Sequence, residues 1–198
     1  IDLLLLPTDW LRDGIINAFD VPNDTMRVIP WGANIDAVPS CEVAVPLRAD
    51  APVELLFVGR DWLAKGGPIA LEVHNALIAR GHKSRLTILG CNPDGVAQSA
   101  DIKIFTQLDK SKPDELAAFE QLFRSAHFLI NPSFESFGFA YCEASAYGLP
   151  SLSLRVGGVP VRDGVNGHAL PVGATGEGFA DVISEYLANP AAHTALRA

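Results

Sequence analysis

Cysteine is scarce in this 198-residue chain, with three residues at Cys41, Cys91 and Cys142. An odd, widely spaced set without a Cys-x-x-Cys pair fits reduced thiols in a cytoplasmic protein. Cys142 reads most simply as a small core residue. The five histidines show no ligand spacing and no Asp-x-Asp motif occurs, which argues against a metal centre. Basic residues are outnumbered, 15 Lys and Arg against 23 Asp and Glu. A net charge of −8 with no basic stripe to offset it argues against nucleic acid as a partner. Long apolar runs are missing too. Leu3-Leu-Leu-Leu6 is too short for a membrane span or a signal-peptide core and reads as a buried strand. Neither a Gly-x-Gly-x-x-Gly fingerprint nor a Walker Gly-Lys-Ser/Thr loop is present, and there is no internal repeat or low-complexity tract.

What remains is a chain with 48% hydrophobic residues, ample for the core of one domain with an appendage. Strand-like runs near 53–58, 85–90, 102–105, 127–131 and 151–154 alternate with helical stretches near 67–80, 113–126, 139–148 and 176–188. That alternation predicts an α/β fold, a Rossmann-like doubly wound parallel sheet. Ahead of it, 3–7, 10–19 and 27–30 read as strand, helix and strand. His127 reads as an ordinary, partly buried strand residue, and Gly173 to Gly178 as a flexible lead into the last long helix.

Two segments carry chemistry. In Glu135-Ser-Phe-Gly-Phe-Ala-Tyr-Cys-Glu143 two carboxylates bracket a Phe-Gly-Phe, one in the loop before a helix and one a turn inside it. Glu143 is then a charge on an otherwise apolar helix, where it needs donors. The hydroxyls of a ligand would serve, and the free amides of Gly138 and Phe139, at the positive end of the helix, suit a phosphate. The plainer reading makes Glu135 a solvated loop acid and Glu143 a helix acid paired with a Lys or Arg. The second segment is Val53-Glu-Leu-Leu-Phe-Val58, a strand that runs into Gly59-Arg60 and Lys65-Gly66-Gly67. Arg60 and Lys65 put two cations at the carboxyl end of a strand, where open α/β sheets bind ligands, and two cations there suit a diphosphate. Alone, each would be taken for a solvated loop residue.

Together the motifs resemble a known family. Phe57-Val-Gly-Arg60 with Lys65-Gly66, Pro132-Ser-Phe-Glu135-Ser-Phe-Gly-Phe139 with Glu143-Ala-Ser-Ala-Tyr-Gly-Leu-Pro150, Gly157-Gly158-Val-Pro160 and Asp163-Gly-Val-Asn-Gly167 are similar to the carboxyl-terminal domain of the GT-B retaining glycosyltransferases of family 4. Trp31-Gly-Ala-Asn-Ile-Asp36 is similar to that family's turn between its two domains. The resemblance implies the C-terminal half of a GT-B fold. Residues 1–36 would then be the end of an acceptor domain, 37–51 a linker, and 52–198 the donor domain. It implies a metal-independent hexosyltransferase with a nucleotide-diphosphate sugar as substrate, no cofactor, and an acceptor bound mainly by the other domain, so that this chain alone would not transfer sugar. Association of the full-length protein with a membrane surface stays open. Arg60, Lys65 and Glu135 would be the catalytic set. Arg60 and Lys65 would hold the diphosphate, Glu135 the transferred sugar and Glu143 the ribose, with Gly59, Phe137 and the amides of Gly138 and Phe139 lining the donor site. Base contacts are expected around Gly90 and Phe105 to Leu108. The stretch between Gly158 and Asp163 is shorter than the family's usual loop, which bears on donor contacts there. A nucleotide-sugar epimerase of the same architecture and a non-catalytic nucleotide-binding module remain the alternatives.

Overall fold

The computed structural model describes residues 2–35, 39 and 45–197. Asp36 of the expected interdomain turn, Cys41, and most of the expected linker before residue 45 lie outside the described residues. A small amino-terminal unit comes first. It comprises strand β1 (Leu4–Leu6), helix α1 (Asp9–Ala18) and strand β2 (Met26–Val28), which pairs parallel to β1. Leu3-Leu-Leu-Leu6 is thus a strand, but Leu3 and Leu5 are more than half exposed, contrary to the buried strand expected. The sheet here has only two strands, and among the described residues of these strands only Leu6 and Met26 are buried.

The main sheet holds six parallel strands: β3 (Val53–Val58), β4 (Ser84–Leu89), β5 (Ile102–Phe105), β6 (Phe128–Ile130), β7 (Ser151–Leu154) and β8 (Gly167–Leu170). Their spatial order is β5-β4-β3-β6-β7-β8. Numbered from β3, this is the 3-2-1-4-5-6 order of a doubly wound Rossmann-like sheet. The crossovers are α2 (Gly67–Ala79), α3 (Pro113–Ser125) and α4 (Phe139–Ala146), and α5 (Gly176–Ala188) and α6 (Pro190–Leu196) follow the last strand. The two-residue alternation of β3 sorts the core. Val53, Leu55 and Phe57 pack with Val73 and Leu77 of α2 and Phe179 and Ile183 of α5. Leu56 points the other way, among Phe119 and Phe123 of α3 and Tyr141 and Ala144 of α4. Leu47, just ahead of β3, is buried in the first of these layers.

β8 and α6 were not anticipated. Gly173 to Gly178 is not a flexible lead: Gly176 opens α5, and its amide donates to Glu72 Oε2 at 3.1 Å, which fixes the start of α5 against α2. His127 is 1% exposed and fully buried rather than partly so. Its Nδ1 accepts from the Glu54 amide at 2.8 Å, and His193 Nε2 lies 3.0 Å from its carbonyl oxygen. Burial, with the neighbouring His193 acting in the same direction, holds the His127 imidazole down to about 4. Among the described residues no helix is long and apolar enough to cross a membrane.

Candidate functional site

The strand order reverses between β3 and β6, and the crevice outside the carboxyl ends of strands at such a point is where doubly wound sheets bind ligands. The two strands pair directly only at Leu55 with Phe128 and Leu56 with Leu129. Beyond that Asn131 takes over. Its buried side-chain amide donates to the Val58 carbonyl at 2.6 Å and accepts from the Val58 N–H at 3.1 Å, closing the widening gap as a strand backbone would. The Asn131 carbonyl in turn accepts from the Tyr141 hydroxyl, which ties α4 to the same seam. Burial raises the Tyr141 hydroxyl far above its ordinary range, so it stays a proton donor.

From the β3 side come Gly59, Arg60 and Lys65. A turn closes the loop: the Ala64 amide donates to Asp61 Oδ1 at 2.9 Å and the Lys65 amide to the Asp61 carbonyl at 3.0 Å. The Lys65 stem crosses directly over Gly59, where a Cβ would sit 2.7 Å from Lys65 Cγ, so any larger residue there would force that stem to shift. Arg60 is exposed and, among the described residues, has no hydrogen bond or ion pair, as a solvated loop cation would. Lys65 differs. Its ammonium donates to Glu135 Oε1, with the carboxylate side chain only 14% exposed.

From the β6 side, Ser133 Oγ donates to the same Glu135 oxygen at 3.0 Å, and the Gly158 amide donates to the Glu135 carbonyl at 2.7 Å. The short stretch after β7 therefore still reaches the site and braces the backbone of Glu135. Gly138 caps α4 at φ 87°, a left-handed conformation in which a Cβ would meet the Tyr141 ring at 2.5 Å. No side chain caps this helix, and among the described residues the Gly138 and Phe139 amides donate to no acceptor. They are open donors at the positive end of α4.

Glu143 lies inside α4 with its side chain 8% exposed. It pairs with Lys110, from the loop between β5 and α3, at 2.5 Å. Burial pushes the Glu143 carboxyl up, and the Lys110 hydrogen bond and charge oppose that shift. Lys110 also donates to the Asn34 carbonyl at 3.1 Å and lies 4.0 Å above the centre of the Phe119 ring. Each acid is therefore paired with a lysine, as the plainer sequence reading had it for Glu143, yet both pairs line the same cleft. Lys110 was missed in the sequence. It sits in the polar run Asp109-Lys-Ser-Lys112, and nothing there signals a partner far along the chain.

These groups share one cleft of about 1000 Å³, and all eight expected donor-site residues line it: Gly59, Arg60, Lys65, Glu135, Phe137, Gly138, Phe139 and Glu143. Gly90 and Thr106 to Leu108, from the ends of β4 and β5, line its far end, where base contacts were expected; Phe105 is not in the wall. At the rim Trp31 stacks on Phe139, with centroids 5.6 Å apart and planes 11° apart, and meets Phe137 edge-on at 5.3 Å. Trp10 meets Phe134 edge-on at 5.2 Å, and Thr8 Oγ1 donates to the Ser136 carbonyl at 3.3 Å. The amino-terminal unit thus grips the loop that carries Glu135. Among the described residues no group of His, Cys, Asp and Glu is arranged to hold a metal ion. The cleft offers cations and open amides for phosphate oxygens, and carboxylates for hydroxyl donors.

The family model described as glycosyl transferases group 1 matches residues 52–189. The D-inositol 3-phosphate glycosyltransferases of Corynebacterium jeikeium and Actinosynnema mirum are 27% and 30% identical to the chain, over 93% and 98% of it. The matched regions are 48% and 51% of those proteins, so the chain spans about half the length of the curated relatives it matches. Among solved structures, S. aureus TarM in a complex that includes UDP superposes with a TM-score of 0.77 at 16% identity, covering 100% of this chain and 39% of that one. Anabaena HepE, solved with UDP and glucose, superposes with a TM-score of 0.75 at 17% identity, covering 100% and 56%. At such identities the likeness is one of fold, and the fold is one half of a GT-B glycosyltransferase.

Proposed function

The chain belongs to the glycosyl transferases group 1 family, and on that premise we propose that residues 52–198 bind a nucleotide-diphosphate sugar as the donor half of a retaining, metal-independent hexosyltransferase. The observation that carries this reading is the convergence at the β3/β6 crevice of Arg60 and Lys65 from one strand end with Glu135, the α4 terminus and Glu143 from the other. Arg60, Lys65 and the Gly138 and Phe139 amides would hold the diphosphate and stabilise the charge that grows on it as the glycosidic bond to the sugar breaks. They would supply the positive field that a divalent ion provides elsewhere. Glu143 would accept the ribose hydroxyls and Glu135 those of the transferred sugar. UDP is the first donor nucleotide to try, because UDP is bound in the TarM and HepE structures.

Residues 1–36 would be the end of the acceptor domain and 37–51 the linker, with the acceptor held mainly by the other domain. Retention of anomeric configuration follows from the family resemblance. The test is calorimetric titration of the chain with UDP, GDP and ADP in the presence of EDTA. Binding of one nucleoside diphosphate without metal, weakened by Arg60→Ala, is the expected result. Binding that required Mg²⁺ or Mn²⁺ would overturn the site reading.

A further inference from the structure

The lysine that sequence reading missed sits at the junction of three elements. Lys110 comes from the β5–α3 loop, its ammonium bonds Glu143 Oε1 of α4, and the same nitrogen bonds the Asn34 carbonyl of the amino-terminal segment while resting on the Phe119 ring. Three contacts from three directions fix it, so it is not a loose surface cation. Its bond uses Oε1 of Glu143, and among the described residues no donor reaches Oε2. A carboxylate anchored through one oxygen with the other left open is oriented for a ligand hydroxyl.

We propose that Lys110 is a positioning residue for donor binding: it holds Glu143 ionised and aimed into the cleft, and it couples that carboxylate to the Asn34 turn. The inference rests on the donor-site reading above. A carboxyl buried as Glu143 is, with its side chain 8% exposed, is driven toward its neutral form without a cation, and a protonated carboxyl turns one acceptor oxygen into an O–H donor. The other charged or titratable groups around Glu143 do not replace Lys110. Cys142 and Tyr147, on or at the end of the same helix, carry no positive charge; Glu120 and Arg124 of α3 lie at Tyr147, with Arg124 5.3 Å from its ring centre; Asp109, Glu135 and the exposed Arg60 line the same cleft; and Lys65 is engaged by Glu135.

The experiment has two readouts on the full chain. UDP affinity is measured by calorimetry from pH 5.5 to 8.5 for the wild type, Lys110→Met and Lys110→Arg, and the Glu143 carboxyl is titrated without ligand by ¹³C NMR, assigned with Glu143→Gln. In Lys110→Met the carboxyl should titrate at least one pH unit higher than in the wild type. UDP affinity should fall roughly tenfold at pH 6 and recover as pH rises. Lys110→Arg should restore most of both. A uniform loss of affinity at every pH, with the Glu143 titration unmoved, would overturn the proposal. So would an unmoved titration in a variant that keeps the wild-type circular dichroism and does not bind at all. Failure of the wild type to bind UDP, GDP or ADP would instead overturn the donor-site reading, and the NMR titration would still decide whether Lys110 controls Glu143.

Discussion

Replacing Lys65 by methionine removes the cation from Glu135 while keeping an unbranched stem of similar length over Gly59. Two effects should separate. The ion pair lies between the exposed and buried regimes, with side chains 33% and 14% exposed. Exposed pairs contribute about 0–1 kcal/mol, and breaking buried ones costs about 3–5 kcal/mol. Ser133 still donates to Glu135 at 3.0 Å, so the expected loss of folding stability is about 1–2 kcal/mol, or a fall in melting temperature of roughly 2–8 °C for a chain of this size. If Lys65 also grips the diphosphate, UDP affinity falls by about 1.5–3 kcal/mol, roughly tenfold to 150-fold. The double variant Lys65→Met with Glu135→Gln distinguishes the two. Without an uncompensated carboxylate, most of the melting temperature should return, while affinity for bare UDP should not. Scanning calorimetry and isothermal titration on the four proteins complete the cycle. A double variant that regained UDP affinity along with stability would refute a direct phosphate role for Lys65 and leave a structural ion pair.

Arg60→Ala should lower UDP affinity by a similar factor and leave the melting temperature within about 1 °C, because Arg60 is exposed and has no protein partner among the described residues; a large thermal loss would contradict this. Asn131→Ala strands the Val58 N–H and C=O, so urea denaturation should show a loss of about 2–4 kcal/mol; a loss below about 1 kcal/mol would show that β3 and β6 need no seam. His127 is held to about 4 against an ordinary 6.5, so the unfolded chain binds more protons between those values. Its contribution is therefore complete above pH 6.5 and falls by up to about 3 kcal/mol as the pH drops to 4; urea unfolding free energies equal at pH 7.5 and 5 would rule this out. Glu143→Gln should weaken UDP and its sugar conjugate alike, whereas Glu135→Gln should spare UDP and weaken only the conjugate, and calorimetry showing equal losses for both ligands in both variants would end that division of labour.

The strands and helices of the main sheet were legible because their apolar periods are strong and their boundaries carry Gly and Pro. Val53 to Val58 is a nearly continuous apolar run, as a strand covered on both faces must be. Pro113, with Asp114 and Glu115 behind it, announces α3. Gly167-His-Ala-Leu170 carries no β-branched residue, and only its pairing with β7 makes it β8. Pro190 to Leu196 follows α5 so closely that the helical stretch reads as ended, and α6 forms where His193 and Leu196 find buried places. At the cleft, Arg60 and Lys65 were legible as candidates because they stand beside glycines after a strand, and Glu135 and Glu143 because they bracket a Phe-Gly-Phe at a helix start. Lys110 and the Asn131 amide could not be found that way. Their partners are chosen by tertiary packing across 33 and 73 positions of chain, and no local pattern encodes that choice.

The aromatic clasp at the rim bears on where the molecule can be divided. The family match starts at residue 52, which invites cutting the protein there. Yet Phe137, 4% exposed, lies beneath Trp31, and Ser136 accepts from Thr8. A chain trimmed to the matched region would keep the whole six-stranded sheet while opening Phe137 to water and freeing the segment that carries Glu135. The boundary that sequence comparison draws and the boundary that mechanics would tolerate fall in different places, so the matched region is held to the residues ahead of it.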